Sequence, residues 1–172
     1  AGFLDTPEDG GYCFKIYYFS EPITPDKSLA LESPRAFTTI RTIKVENVDT
    51  VISYIQKAGS AIFRDTQFWA FTMYGELDET DGGFFDFCLH SSDFAELYID
   101  GLLKITNQRS SASTCRSIDL TVGKHPIFVR FLWESGIVTL DVLYRSQAEA
   151  DLPFQDVKSF TPGWCDGAFT PR

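Results

Sequence analysis

The sequence predicts an all-β chain folded as an antiparallel sandwich or barrel. Three observations point there. Aromatic residues make up 15% of the chain, with 16 Phe and 7 Tyr, and together with Ile, Val and Thr they suit a half-buried pleated surface. Apolar residues recur at every second position in one short segment after another. Turn residues separate these segments at intervals of about 8–12 residues, the spacing of sandwiches and barrels.

Residues 1–11 are rich in Gly, Asp, Glu and Pro and read as an N-terminal arm. Residues 12–19 alternate, with Tyr12, Phe14, Ile16 and Tyr18 on one face and Cys13, Lys15 and Tyr17 on the other, which is a strand. Residues 20–36 carry three prolines and read as loop. Residues 37–46 alternate again. Over 48–57 the pattern changes: Val48, Val51, Ile52 and Ile55 fall at helical spacing, between an N-cap at Asn47 and a stop at Gly59. One short helix is expected there, with a continued strand as the alternative.

Strand patterns return at 61–65 and 68–77, before an acidic turn from Asp78 to Gly83. Residues 84–90 put Phe85, Phe87 and Leu89 on one face, and residues 95–100 put Ala95, Leu97 and Ile99 on one face and Glu96, Tyr98 and Asp100 on the other. Asp100-Gly101 is a hairpin turn leading to a strand over 102–106. A polar loop precedes Cys115 and a strand over 117–122. The strongest hairpin pattern comes next. Ile127, Val129, Phe131 and Trp133 alternate, Glu134-Ser135-Gly136 supplies a turn, and Val138, Leu140, Val142 and Tyr144 alternate in reply. Residues 146–172 are mixed and are expected to wrap the outside.

The chain has 172 residues, enough for one domain with a real core. Hydrophobic residues are 44% and charged residues 23%, which excludes general disorder. The net charge of −9 argues against nucleic acid and anionic membrane surfaces as partners. No apolar run approaches the roughly 18 residues of a membrane span. The four cysteines, Cys13, Cys88, Cys115 and Cys165, form no C-x-x-C pair, so a structural zinc site is not expected. Their even number and wide spacing fit two disulfides and an oxidising compartment, with four buried thiols as the alternative. The chain starts at Ala1 without a leader, as a mature fragment or an excised domain would. It contains no N-x-[ST] sequon.

Residues 91–108 (SSDFAELYIDGLLKITNQ) and 117–144 (SIDLTVGKHPIFVRFLWESGIVTLDVLY) together resemble the PA14 domain family. The resemblance is carried by Leu97-Tyr98-Ile99-Asp100-Gly101 and by Gly123-Lys124-His125-Pro126-Ile127, with FWAFTMYGEL and YCFKIYYF similar to the family's earlier aromatic strands. It covers residues 12–145, and 146–172 would then be a tail packed on that domain. It implies a β-sandwich module of secreted and cell-surface proteins that recognises or assembles and does not catalyse.

In the adhesin branch of that family, two adjacent aspartates joined by a cis peptide hold calcium, which helps bind sugar hydroxyls. The pair aligned here is Ser92-Asp93, followed by Phe94 where the family has glycine. Calcium takes six to eight oxygens and its affinity follows ligand charge, while a non-proline cis peptide costs about 2.5–4 kcal/mol. One carboxylate fewer weakens the case for calcium, the one cofactor that the resemblance suggests, with Asp93 as its ligand. The alternative is that Ser92-Asp93 only closes a turn.

Other clusters carry less. Glu96 and Asp100 share a strand face about 13 Å apart, beyond the roughly 5–9.5 Å of glycosidase pairs. Asp78, Glu79, Asp81 and Asp86 read first as a solvated acidic loop and second as a cation site. His125 is expected to be structural, and nothing marks a cysteine as an activated nucleophile. Trp69 and Trp133 fit core strand positions, and Trp164 is either a plug or an exposed contact. Of three disulfide connectivities, Cys13–Cys165 with Cys88–Cys115 is preferred, the first pinning the tail and the second tying a loop to its neighbouring strand. The expected function is extracellular recognition of a glycan or a surface protein. Ser92, Asp93, Phe94, the 107–114 loop from Asn107, and Trp133 to Ser135 would form the site. Assembly with other domains of a parent protein is the alternative.

Overall fold

The computed structural model describes residues 12–19, 38–45, 68–79, 81–108, 112–133 and 139–157. The expected helix at 48–57, the strand at 61–65, the arm, the Glu134-Ser135-Gly136 turn, Trp164 and Cys165 lie outside them. The described residues form ten strands: β1 (Tyr12–Phe19), β2 (Thr38–Val45), β3 (Phe68–Glu79), β4 (Gly83–Ser91), β5 (Phe94–Ile99), β6 (Leu102–Asn107), β7 (Ala112–Leu120), β8 (Gly123–Trp133), β9 (Leu140–Ser146) and β10 (Gln155–Asp156). A single 3-10 turn, Gln147–Glu149, is the helical element among them.

These strands make an antiparallel sandwich. One sheet has the order β2-β1-β3-β8-β5-β6 and the other β10-β9-β4-β7. Every step from β3 to β9 changes sheet, except the β5–β6 hairpin. That hairpin turns through Asp100 (φ 55°) and Gly101 (φ 78°), two consecutive left-handed residues as a type I′ turn requires. At the β3–β4 turn Gly82 (φ 71°) passes so close to the β7–β8 connection that a Cβ there would lie 3.2 Å from the Leu120 carbonyl oxygen.

The alternation read from the sequence is the inward face. Phe87 and Leu89 on β4 are fully buried, as are Ala95, Leu97 and Ile99 on β5 and Ile127, Val129 and Phe131 on β8. At about 1.5–3 kcal/mol per large apolar side chain, this layer is the main force holding the sheets together.

The hairpin expected between β8 and β9 does not form. β8 pairs with β3 and β5, while β9 pairs with β4 and β10 in the opposite sheet. Two strands with matching apolar faces can bury them side by side in one sheet or face to face across a sandwich. Periodicity is the same in both cases, so it could not choose. β8 also begins earlier than expected, running through Lys124, His125 and Pro126. Its second face is buried too, at Phe128, Arg130 and Leu132. There Phe128 meets Tyr98 edge-on at 5.9 Å. Arg130 pairs with the buried Glu96 at 2.9 Å and donates to the Tyr98 hydroxyl.

Cys88 and Cys115 stand directly opposite each other on β4 and β7 and are joined by a disulfide. The expected partnership of Cys13 with Cys165 lies outside the described residues.

Candidate functional site

The expected site residues gather where β4 leaves one sheet and β5 enters the other. The crossing takes two residues, Ser92 and Asp93. A chain that changes sheet abandons its ladder partners, so its amides need others. The Ser92 amide donates to the Thr139 carbonyl (2.9 Å), and the Thr139 amide donates to Ser92 Oγ (3.0 Å). Ser92 Oγ in turn donates to Asp93 Oδ2 (3.0 Å). The crossing is thereby clamped to the start of β9.

Asn107 ends β6 opposite Ala95 and so faces the interior, where it is 1% exposed. A buried amide must be hydrogen-bonded. Its Nδ2 donates to the Leu89 carbonyl (2.8 Å) and to Ser91 Oγ (3.0 Å), both on β4. That bond pair ties the edge of one sheet to the end of a strand in the other. Sequence reasoning missed Ser91 and Thr139. Ser91 is adjacent to the expected pair, but Thr139 carries no local signal because its role exists only across the fold.

Asp93 is 4% exposed and Phe94 is buried opposite Leu132. Ser92 is half-buried, whereas Asp93, Phe94 and Asn107 are buried and shape the crossing from beneath. Trp133 is paired through its backbone with Trp69 at this same end, its side chain lying outside the description. Asn107 closes β6 and Ala112 opens β7, so the expected 107–114 loop is shorter than its sequence suggested.

Among the described residues, the donor set at the crossing is short of the six to eight oxygens that calcium takes. It offers one carboxylate, whose Oδ2 already accepts from Ser92, and an Asn107 amide whose nitrogen is turned to β4. No three His, Cys, Asp or Glu side chains converge among the described residues, and no peptide there is cis.

The opposite end holds the other singled-out residues. His125 is buried with both ring nitrogens engaged: Nε2 lies 2.7 Å from the Thr121 carbonyl and Nδ1 2.9–3.0 Å from both Asp100 oxygens. A carbonyl and a carboxylate both accept, so the imidazolium satisfies both contacts. Burial works against that charge. The Thr121 carbonyl, Asp100 and Glu79 outweigh it and raise the pKa above its usual 6.5. His125 is thus a structural clip between the β5–β6 turn and β8.

The acidic cluster divides. Asp81 donates its amide to Glu79 Oε1 (3.2 Å). Asp86 accepts from Gln147 (2.9 Å) and faces Arg145 at 3.9 Å.

No family model matches the chain, and no curated protein sequence does. Solved structures do. The PA14 domain of the MpAFP antifreeze protein superposes with a TM-score of 0.66 at 13% identity, over 92% of this chain and 93% of that one. The PA14 sugar-binding domain of an RTX adhesin gives 0.62 at 13% identity, over 89% and 99%. Epithelial adhesin 9 A domain from Candida glabrata, solved with Galb1-3GlcNAc, gives 0.61 at 8% identity, over 93% and 99%. Part of a Kluyveromyces marxianus β-glucosidase matches as well, the chain covering 18% of that enzyme. At these identities the likeness establishes the fold, and the chain has the PA14 fold.

Proposed function

We propose that this PA14-fold chain is a non-catalytic recognition module of an extracellular or cell-surface protein, and that it binds a glycan through the loops around the Ser92-Asp93 crossing. The observation that carries the reading is the clamped crossing itself. Ser92, Asp93, Thr139 and Asn107 fix the loop end of the sandwich by hydrogen bonds across both sheets, and rigid sheets presenting loops are how such scaffolds bind. Two matching domains of the same fold are described as sugar-binding or were solved with a disaccharide. The Cys88–Cys115 disulfide fits an oxidising compartment.

On this reading half-buried Ser92 meets the ligand, and Asp93, which accepts from its hydroxyl, orients it. Recognition on this reading uses no resident calcium, since the crossing supplies a single carboxylate. The test is a glycan array with and without EDTA, together with calcium titration calorimetry on stripped protein. Binding that survives EDTA and falls at least about tenfold in Ser92→Ala supports the proposal. Calcium binding that disappears in Asp93→Ala would replace it with a metal-dependent site.

A second reading is an assembly module that docks on other domains of a parent protein. The burial of Asp93 and Asn107, with partners inside the chain, favours it. An array without hits, alongside a domain partner recovered from the parent protein, decides for it.

A further inference from the structure

The six-stranded sheet is buried on both faces. Its inward face meets the other sheet: Asn107, on the same face as Ala95, bonds to β4. On its outward face Ala70, Thr72, Glu96, Phe128, Arg130 and Leu132 are each at most 8% exposed. They are cross-strand neighbours on β3, β8 and β5, and they alternate with the inward Val129 and Phe131. The outer face of an antiparallel sandwich is ordinarily open to water. Here it hides apolar side chains and the Glu96–Arg130 ion pair, whose atoms lie 2.9 Å apart. No described element lies over it. Every described strand belongs to one of the two sheets, and the 3-10 turn sits against β4. A third layer is therefore needed.

The cysteines indicate which part of the chain supplies it. Cys88 and Cys115 are joined, which leaves Cys13 and Cys165 as each other's intramolecular partners. Cys13 pairs with Tyr74 on β3, Tyr74 with Phe128 on β8, and Phe128 with Tyr98 on β5. Ladder partners share a face, so Cys13 holds the β1 position in an outward row. The C-terminal residues can reach it. Val157 is fixed to the smaller sheet by its amide, which donates to the Val142 carbonyl (3.1 Å). There β4 meets β5 and β6, and β7 meets β6, so β10 lies toward the side where β1 and β2 close the larger sheet. The eight residues from Val157 to Cys165 extend up to about 27 Å. One inter-sheet distance and two strand spacings come to about 20 Å. Phe160, Trp164 and Phe169 give this segment apolar side chains to set against the sheet.

We infer that residues 158–172 form a strap across the outward face of the six-stranded sheet, tied down by a Cys13–Cys165 disulfide. The chain itself then closes this face to partners, independently of the reading given to the crossing. The test uses the whole chain without substitution: alkylation and peptide mapping under non-reducing conditions, and NMR of isotopically labelled protein. The expected result is a Cys13–Cys165 linked peptide beside the Cys88–Cys115 one, with no alkylated thiol. Nuclear Overhauser contacts should run from residues 158–172 to the Thr72 and Leu132 methyl groups and the Phe128 ring. Cys13 or Cys165 recovered as an alkylated thiol, or bridged to a second molecule, would overturn the inference. So would an outward face whose contacts come from residues 20–37 or 46–67 with none from 158–172, because another part of the chain would then be the third layer.

Discussion

Removing the Cys88–Cys115 bridge isolates one contribution to stability that can be calculated beforehand. The two cysteines are separated by 27 residues and already face each other at a Cα–Cα distance of 4.0 Å on paired strands. The native sheet therefore holds them together without the bond, and the effect of the cross-link falls on the unfolded chain. Chain-entropy arithmetic for a loop of this length gives about 12 cal/mol/K, or about 3.5 kcal/mol at 25 °C. Cys88→Ala/Cys115→Ala, made together so that no thiol is left to pair elsewhere, should lose about that amount in urea unfolding. A domain of this size is ordinarily stable by only 5–15 kcal/mol, so the midpoint should fall visibly. The double variant should keep its far-UV spectrum, because the β4–β7 ladder does not depend on sulfur. A loss under about 1 kcal/mol would refute the reasoning and show that the denatured chain keeps β4 and β7 together regardless of the bridge.

Two further outcomes follow from the packing and the clip. Phe87→Ala, at a fully buried position facing the opposite sheet, should cost about 3–5 kcal/mol by denaturant unfolding; a cost under about 1.5 kcal/mol would mean the layer there is loosely packed. For His125, the folded-state pKa lies above 6.5, so its stabilisation is complete below that value and disappears as pH rises through the folded pKa. Asp100 is 45% exposed, which limits the pair to about 1 kcal/mol. The melting-temperature gap between the natural protein and Asp100→Asn should accordingly be widest near pH 6 and narrow toward pH 9. A gap that is flat or grows with pH would show that His125 is held neutral.

Strand existence was legible because a half-buried strand must alternate, and β1, β4, β5 and β6 fall within a residue or so of the segments read from the sequence. The Asp100-Gly101 turn was legible because two left-handed residues in succession restrict chemistry sharply. The β8–β9 connection was not. Both strands alternate as a hairpin should, yet they lie in different sheets, since alternation says which side of a strand is buried and not which strand lies beside it.

The candidate site divides in the same way. The sequence singled out Ser92, Asp93 and Asn107 but not that the chain changes sheet at the first two. Burial of Asp93, the closing of the crossing by Thr139 and the anchoring of Asn107 on β4 came from contacts between residues 16 to 47 positions apart. The sequence by itself determined local matters: which residues face inward and where the chain reverses. The tertiary structure alone decided which sheet each strand joined, which acidic side chains were already engaged, and that the six-stranded sheet buries its outward face as well. Periodicity acts between near neighbours, whereas a site is made by groups that meet only when both sheets close on a common core.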